Sequence, residues 1–278
     1  MFAAIVIPAR YASERLPGKP LIPVAGVALV ERVWRIALAA AAGRPGTRAL
    51  VATDHGWIMD FARDRGIDAV LTDPACPSGA DRVLAGLEAR EWEPDIVVNL
   101  QGDNPFCPPH VVASLLDECV RRPDVGVTTP AVRLSWEELD ALRARKLETP
   151  FSGTLAVFAP EEPEAPLAAG RALFFSKREI PALRREKEER ERSPLASPLY
   201  SHIGLYAYRL DALRWFAQTP PGRLEQLESL EQLRFLEHGV PVRVRQVDLR
   251  GRPWMSGIDS PKDLALAESY FAQHGELR

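Results

Sequence analysis

The N-terminal half of the chain alternates short apolar runs with stretches in which apolar residues recur every three or four positions. The short runs predict buried strands, and the longer spacing predicts amphipathic helices. Strands that alternate with helices are typical of βαβ units, whose strands form a parallel sheet. The predicted strands are Ala3–Pro8, Ala49–Ala52, Asp68–Leu71, Asp95–Leu100 and Val125–Val132, and the predicted helices are Val27–Ala42, Trp57–Arg65, Arg82–Glu91 and Val111–Arg121.

After Val132 the alternation becomes irregular, which predicts antiparallel additions to the sheet. Ser135 is a predicted N-cap, with Glu138 at the capping-box position. No linker divides the chain, so we expect a single domain over residues 1–278, of the α/β class, with a mixed, mostly parallel central sheet. The later predicted strands are Thr154–Phe158, Ala172–Phe175, Leu199–Tyr208 and Val242–Leu249, and the later predicted helices are Trp136–Lys146, Asp211–Gln218, Leu224–His238 and Pro261–His274.

Composition excludes several classes of protein. The 278 residues are 46% hydrophobic and 26% charged, as in an ordinary globular protein with a full core. A formal net charge of -3 provides no bulk attraction for nucleic acid or an anionic membrane. Three irregularly spaced cysteines indicate reduced thiols, and neither a signal peptide nor a membrane-spanning run is apparent. We therefore predict a cytoplasmic protein with neither nucleic acid nor a membrane as partner.

Lysine and asparagine are rare in this chain. Thirty arginines stand against five lysines, and Asn99 and Asn104 are the two asparagines. Genomic base composition, together with selection against thermolabile amides, is the simplest explanation for the bias as a whole. The few lysines and asparagines are nevertheless worth locating in the fold.

The segment after the first predicted strand, residues 8–20, is a candidate phosphate loop. It holds the cations Arg10, Arg15 and Lys19 together with a glycine and three prolines. Ligands of parallel sheets bind outside the carboxyl ends of the strands, where backbone amides and cations offset phosphate charge. The loop has neither the spacing of a Walker A motif nor that of a dinucleotide fingerprint.

Other polar groups follow the remaining strands. Asp103 comes after Asp95–Leu100, within Gln-Gly-Asp-Asn-Pro, where it is either a seat for Mg²⁺ or part of a turn. Ser78 precedes a helix whose first amides would face an anion. Asp259 precedes the last helix, and Ser260 and Pro261 beside it are suited to its N-cap and first positions.

Seven motifs occur in an order that resembles the 3-deoxy-manno-octulosonate cytidylyltransferases, or CMP-Kdo synthetases. The resemblance extends from residue 4 to residue 268. It implies a nucleotide-diphospho-sugar transferase fold of the glycosyltransferase-A, Rossmann-like type, a homodimer, and a reaction of CTP with an acidic sugar that yields CMP-sugar and pyrophosphate. The motifs are IPARYASERLPGKPL, VATD, SGADR, VNLQGDNP, HIGLYAY, LEQLESLEQLR and GIDSPKDL.

The resemblance also implies roles for individual residues. Residues 1–132 would bind CTP, and residues 133–278 would bind the acceptor and form the dimer. Lys19, Asp103 and Asp259 would be catalytic, and the two aspartates would bind Mg²⁺ as the cofactor. The nucleotide would contact Pro8, Ala9, Arg10, Ser13, Arg15, Lys19, Thr53, Asp54, Ser78, Arg82 and Gln101, and the acceptor would contact Gln101, Asn104, Lys177, His202, Tyr206, Glu228 and Gln232.

For two of the acceptor residues the sequence leaves a structural role open. Tyr206 lies on an apolar strand and is compatible with a place in the core. Glu228 is compatible with a solvated position on a helix. Glu228 and Gln232 are four residues apart on a predicted helix, so we expect both to face one side.

The chain departs from the family pattern on the acceptor side. Asn104 replaces a glutamate after Gln-Gly-Asp, Lys177 replaces an arginine after Phe-Ser, and 152–158 carries no lysine. A lysine does not bind a carboxylate as an arginine fork does. Besides Kdo, a modified octulosonate, a nonulosonate-like sugar or a phosphonate therefore remains open as acceptor. A catalytically silent nucleotide-binding relative remains open as well.

Overall fold

The computed structural model describes residues 1–12, 15–161, 167–251 and 257–276. Within these ranges, ten strands form one mixed sheet in the order β10-β8-β9-β12-β7-β11-β6-β1-β4-β5, and β2 pairs with β3 in a small hairpin. The strands are β1 (Ala3–Ala9), β2 (Pro23–Val24), β3 (Val27–Ala28), β4 (Thr47–Thr53), β5 (Ala69–Leu71), β6 (Ile96–Asn99), β7 (Val127–Ser135), β8 (Leu155–Pro160), β9 (Ala169–Ser176), β10 (Ala196–His202), β11 (Tyr206–Arg209) and β12 (Val242–Gln246).

Helices lie on both faces of this sheet because its central strands are apolar on both faces. In β1, Ile5 and Ile7 pack into one core and Ala4 and Val6 into another, and all four are fully buried. The sequence thus specifies a layer of helices on each side of the sheet. The helices are α1 (Leu29–Ala41), α2 (Gly56–Asp64), α3 (Gly79–Ala89), α4 (Pro109–Arg121), α5 (Trp136–Glu148), α6 (Glu186–Arg192), α7 (Leu210–Gln218), α8 (Arg223–Glu228), α9 (Gln232–Glu237) and α10 (Pro261–His274).

The predicted α/β class and mixed sheet are confirmed, with a qualification on strand direction. Parallel pairing joins β6, β1, β4 and β5 and recurs between β7 and β12. The other pairings among the described strands are antiparallel, so parallel pairing predominates only in the N-terminal part. The predicted capping box of Ser135 and Glu138 is also confirmed.

The prediction of one continuous strand over Leu199–Tyr208 is wrong. The segment contains β10 and β11, which both lie antiparallel to β7 but are interrupted around Gly204. At the interruption the Thr129 hydroxyl of β7 donates to the Leu205 carbonyl oxygen at 2.8 Å. The Thr129 side chain here takes the place of a backbone hydrogen bond between the strands. The apolar pattern of the sequence does not indicate such a contact.

The prediction of one helix over Leu224–His238 is also wrong. The chain leaves the helix at Ser229, whose φ of 51° lies in the left-handed region, and α9 then folds back along α8. Two contacts hold the pair: Arg234 forms a buried ion pair with Glu225 at 2.6 Å, and Glu237 accepts from the Leu224 amide at 2.8 Å. These tertiary contacts outweigh the local helical pattern.

Buried charge connects the two halves of the chain. Glu118 of α4 is fully buried and accepts hydrogen bonds from Arg243 of β12 and Arg121 of its own helix. Arg243 also pairs with Glu161 at 2.8 Å. Separately, no helix in the described ranges has the length and apolarity needed to cross a membrane.

Removing one partner of this buried pair should be costly. Glu118→Ala removes the fully buried carboxylate beside Arg243 and leaves only the half-exposed Glu161 as its partner, so we expect the free energy of unfolding to fall by about 3 kcal/mol. The matched control is Asp117→Ala on the same helix, because Asp117 pairs with Arg44 at the surface. That control should cost less than about 1 kcal/mol. Urea denaturation of both variants measures the difference, and equal losses would contradict the role assigned to Glu118.

Candidate functional site

A cavity of about 440 Å³ opens beyond the carboxyl ends of β1 and β6, which are paired in parallel. This is the edge at which open α/β sheets bind ligands. We call it the strand-end cavity. Its lining residues are Pro8, Ala9, Arg10, Ala12, Arg15, Lys19, Pro20, Cys76, Pro77, Ser78, Gly79, Arg82, Gln101, Gly102, Asp103 and Asp259. The structure thus brings ten of the predicted site residues together, whereas Ser13 lies outside the described residues.

Lys19 lies between two carboxylates in this cavity. Its Nζ donates to Asp103 Oδ2 at 2.9 Å and to Asp259 Oδ1 at 3.1 Å. Burial acts to lower the pKa of the Lys19 ammonium, but the two carboxylates outweigh burial and raise that pKa above its ordinary value. Burial raises the pKa of Asp103, and Lys19 opposes that shift. Lys19 is therefore a protonated, positively charged group between the predicted metal ligands.

Two glycines permit this arrangement. A Cβ at Gly102 would lie 2.5 Å from the Pro8 carbonyl oxygen, so a side chain there would force β1 and the loop after β6 apart. Gly257 has a φ of 123°, and a Cβ there would lie 3.0 Å from the Asp103 carboxyl group. Next to it, the Ile258 amide donates to the Asp103 carbonyl oxygen at 2.9 Å. These close approaches bring the loops that carry Asp103 and Asp259 together.

Asp259 owes its place to the start of α10. Ser260 is the N-cap, with Pro261 at the first helical position, as the sequence predicts. Asp263 completes a capping box and also accepts from the Asp259 amide at 3.1 Å. Backbone hydrogen bonds thus fix the residue that presents the second carboxylate.

Arg82 and Asp54 form a buried pair beside the cavity. The Arg82 Nη2 atom lies 3.2 Å from Asp54 Oδ2, and Asp54 Oδ1 accepts from the Tyr11 amide at 2.9 Å. Arg82 lines the cavity, but Asp54 does not. Thr53 is fully buried, and its hydroxyl donates to the Ala9 carbonyl oxygen at 2.7 Å. In this structure Thr53 and Asp54 therefore hold the cavity wall rather than line it.

Ser78 is both a cavity residue and a helix cap. Its hydroxyl accepts from the Asp81 amide at 3.2 Å and donates to the Asp81 carboxylate at 2.5 Å, at the start of α3. Arg10 and Arg15 are exposed at the cavity, and Arg15 Nη2 lies 3.6 Å from Asp259 Oδ2. The cavity thus combines a helix N-terminus with four cations, an arrangement that favours an anion with several charges.

Three of the predicted acceptor residues form a second polar cluster, which we define as His202, Tyr206 and Gln232; neither they nor Glu228 line the strand-end cavity. The Tyr206 hydroxyl donates to Gln232 Oε1 at 2.9 Å, and both side chains are buried. His202 Nε2 is hydrogen-bonded to the Thr129 hydroxyl at 2.7 Å, and burial lowers the pKa of His202 to about 3. His202 is therefore neutral at physiological pH.

Gln232 carries the most informative atom of the second cluster. Its Nε2 is buried and has no hydrogen-bond partner among the described residues. A buried N–H group without a hydrogen-bond partner destabilises the protein. The Gln232 amide therefore marks a position where an oxygen of a ligand or of a water molecule would bind. At the end of β6, Gln101 Nε2 donates to Asn99 Oδ1 at 3.4 Å, and Asn99 is paired with Tyr206 of the neighbouring strand β11. Asn99 thus lies between the strand-end cavity and the second cluster.

Glu228 does not share a face with Gln232 as predicted, because α8 ends at Glu228. Both of its carboxylate oxygens are engaged, accepting from the Ser176 hydroxyl at 2.8 Å and from the Lys177 amide at 2.9 Å. Lys146 donates to the Lys177 carbonyl oxygen at 2.8 Å and to that of Gly153 at 3.1 Å. Glu228 therefore positions the Lys177 backbone in this structure.

Asn104 also makes a local contact. Its Oδ1 accepts from the Phe106 amide at 3.1 Å, which is typical of an Asx turn. The two interpretations of Gln-Gly-Asp-Asn-Pro are thus compatible, since Asp103 faces Lys19 while Asn104 shapes the turn.

Sequence reasoning missed several residues around the site. Burial raises the pKa of the Glu231 carboxyl, and its charge acts on Tyr206 of the second cluster. Its signal in the sequence was its place beside Gln232. The rarity of lysine in this arginine-rich chain singles out Lys146, but it does not indicate what Lys146 contacts. Cys76 lines the cavity as a free thiol and had no signal.

The residues around Lys19 fit a magnesium ion. One oxygen of Asp103 and one of Asp259 face the same point, where the lysine ammonium lies in this structure. The two carboxylates thus already form a site for a cation. Mg²⁺ takes one or two carboxylates and completes its shell with phosphate and water. No metal-binding group of three or more His, Cys, Asp or Glu residues occurs in the described part of the chain. The remaining ligands would therefore come from substrate and solvent.

Comparison with known proteins supports the inferred resemblance. A family model described as cytidylyltransferase matches residues 4–245. The 3-deoxy-manno-octulosonate cytidylyltransferase of Maricaulis maris (strain MCS10) is 42% identical over 278 residues, which is 100% of both chains. The enzyme of the same name from Acidobacterium capsulatum is 38% identical over 95% of this chain and 94% of its own.

Solved structures agree with the sequence relatives. A CMP:2-keto-3-deoxy-manno-octonic acid synthetase complexed with CTP has a TM-score of 0.81 and 32% identity, over 98% of this chain and 99% of its own. A cytidylyltransferase from Leptospira borgpetersenii has a TM-score of 0.58 at 14% identity, over 98% of this chain and 87% of its own, and so supports the fold alone. The chain belongs to the cytidylyltransferase family, among the 3-deoxy-manno-octulosonate cytidylyltransferases.

Proposed function

We propose that this enzyme transfers the cytidylyl group of CTP to 3-deoxy-manno-octulosonate and releases pyrophosphate. The observation that carries the proposal is the position of Lys19, between Asp103 and Asp259 in a cavity at parallel strand ends. Relatives that match this chain over nearly their full length are named for this reaction. CMP-Kdo formation connects the protein to lipopolysaccharide biosynthesis.

In the proposed complex, the triphosphate of CTP occupies the strand-end cavity. Arg10, Arg15, Lys19 and Arg82 offset its charge, and the Ser78 end of α3 directs backbone amides toward it. Pro8, Ala9 and Gln101 border the same space. The sequence-based assignment of Ser13 to this group stays a prediction, as do the contacts of Thr53 and Asp54 with the nucleotide. Residues 1–132 supply most of the proposed CTP site. Residues 133–278 add Asp259 to it.

The reaction needs positioning and charge neutralisation rather than a covalent intermediate. A hydroxyl oxygen of the acceptor forms a bond to the α-phosphorus of CTP and gives its proton to solvent. The bond from the α-phosphorus to the oxygen bridging it to the β-phosphorus breaks, and its electron pair leaves with pyrophosphate. Lys19 stabilises the negative charge that gathers on the phosphate oxygens.

We assign Asp103 and Asp259 as the protein ligands of a Mg²⁺ cofactor. Two facing carboxylates and a nearby polyphosphate are a suitable oxygen donor set. The ion supplies charge neutralisation and orientation at the phosphates when bound. Asp103 and Asp259 come from opposite halves of the chain, so their placement depends on the packing of α10 beside the loop after β6.

The acceptor, in this proposal, lies toward the second polar cluster. The unsatisfied Gln232 amide, the Tyr206 hydroxyl and the neutral His202 ring are suited to hydrogen bonds with sugar hydroxyls. Lys177 and Gln101 would recognise the carboxylate of the acid. Glu228 contributes by holding the Lys177 backbone, and Asn104 by shaping the turn after Asp103.

We also propose a homodimer formed by residues 133–278, and a cytoplasmic location. Several large apolar side chains of that half are exposed, among them Leu147 and Leu195 at 87% and Phe151 at 67%. The three cysteines are free thiols, as is usual for proteins of a reducing cytoplasm.

Pyrophosphate release tests the proposed reaction. With CTP, Mg²⁺ and Kdo we expect turnover, and with a panel of nonulosonate-like sugars and phosphonates we expect little. Asp103→Asn should lower kcat by at least about 100-fold, because the proposed metal ion loses one of its two charged protein ligands. The control is Asp60→Asn, an exposed aspartate of α2 that should leave kcat unchanged. Absence of turnover with every acid, or a fully active Asp103→Asn enzyme, would contradict the proposal.

The acceptor assignment is tested through Gln232. In Gln232→Leu the amide is lost while the side chain remains buried and similar in size. We expect the KM for Kdo to rise about tenfold or more with little change in the KM for CTP. Gln226→Leu, on the exposed side of α8, is the matched control. An equal rise in both KM values would place Gln232 outside the acceptor half.

A further inference from the structure

Lys19 does more than border the proposed metal site, because its ammonium lies between both metal ligands. Hydrogen bonds of 2.9 Å and 3.1 Å connect the Nζ atom to one oxygen of Asp103 and one of Asp259. The lysine side chain is 15% exposed, and those of Asp103 and Asp259 are 26% and 42% exposed. A cation that binds both carboxylates therefore competes with a charged group of the protein itself.

The charges around the ammonium explain its position in this structure. Two carboxylates held this close repel each other, and a positive charge between them removes that repulsion. Arg15 is a poor substitute, since its Nη2 reaches Asp259 only at 3.6 Å and the side chain is 67% exposed. Lys19 follows Gly18, whose φ of 69° turns the loop, and it begins a short 3-10 helix, Lys19–Leu21, that contains Pro20. The backbone at Lys19 is thus well defined, while the ammonium itself is at the end of a flexible stem.

We propose that Lys19 is a placeholder for the divalent metal, which keeps the two aspartates paired in the nucleotide-free enzyme and weakens metal binding there. When the triphosphate enters the strand-end cavity, its oxygens give the ammonium an alternative partner, and the carboxylates become free for the metal. Metal binding to the aspartates is thereby made dependent on the nucleotide. This inference rests on the proposed assignment of Asp103 and Asp259 as metal ligands.

The direct test is Mn²⁺ binding to the nucleotide-free enzyme, followed by electron paramagnetic resonance of free Mn²⁺. Lys19→Met removes the charge and keeps the length of the stem. A metal no longer has to break two hydrogen bonds to a charged group, which corresponds to a gain in affinity of roughly tenfold to a hundredfold. We therefore expect Lys19→Met to bind Mn²⁺ at least about tenfold more tightly than the unmodified enzyme.

Two controls locate the effect. Lys187→Met, on the exposed helix α6, should bind Mn²⁺ as weakly as the unmodified enzyme. The double variant Lys19→Met with Asp103→Asn should lose the gain, which places the ion at the aspartates. Thermal unfolding provides a second measurement, since Mn²⁺ should raise the Tm of Lys19→Met more than that of the unmodified enzyme.

Equal Mn²⁺ affinities in Lys19→Met and the unmodified enzyme would overturn the inference. So would a gain that persists in the double variant, because the ion would then lie elsewhere. Neither result would touch the proposed reaction, which the release of pyrophosphate from CTP and Kdo tests separately. Conversely, a lack of turnover together with tighter Mn²⁺ binding would contradict the reaction and leave the placeholder role intact.

Discussion

Two carboxylates from distant parts of the chain are held together by one lysine ammonium, and the arrangement of the site depends on this contact. Asp103 follows β6, Asp259 precedes α10, and Lys19 belongs to the loop after β1. Like charges at such distances repel unless a cation lies between them. In this structure Lys19 is that cation, and in the proposed reaction a metal ion takes this position beside the phosphates. The same electrostatic demand, a cation between two carboxylates, is thus met by the lysine in this structure and by the metal in the proposed reaction.

The sheet makes this meeting possible. The parallel pairing of β1 with β6 brings two strand ends to one edge, where their loops lie next to each other. The absence of side chains at Gly102 and Gly257 lets the backbone approach to within contact of Pro8 and Asp103. Toward the other half of the chain, β11 pairs with β6 and places Tyr206 beside Asn99. One strand, β6, thus separates the proposed nucleotide half from the proposed acceptor half by little more than its own width.

Much of this was accessible from the sequence, for physical reasons that differ between the halves. The strands of the N-terminal part are apolar on both faces, so patterns of hydrophobic residues locate them, and the strand-end rule then points to Arg10, Lys19 and Asp103. The break at Ser229 was not accessible, because the Arg234–Glu225 ion pair that stabilises the fold-back is a tertiary contact. The double engagement of Glu228 and the backbone contacts of Lys146 escaped prediction for the same reason. Motifs identified which residues matter but not which atoms they contact.

The most direct test of the central claim is the position of Lys19 with and without the metal. Crystals of the enzyme grown without nucleotide, and crystals with CTP and Mn²⁺ but no acceptor, would provide it through the anomalous signal of manganese. We expect the ion within roughly 2.0–2.3 Å of an oxygen of both Asp103 and Asp259, with the Lys19 ammonium moved onto the phosphates. A manganese peak elsewhere, with Lys19 still bound to both aspartates, would contradict the claim.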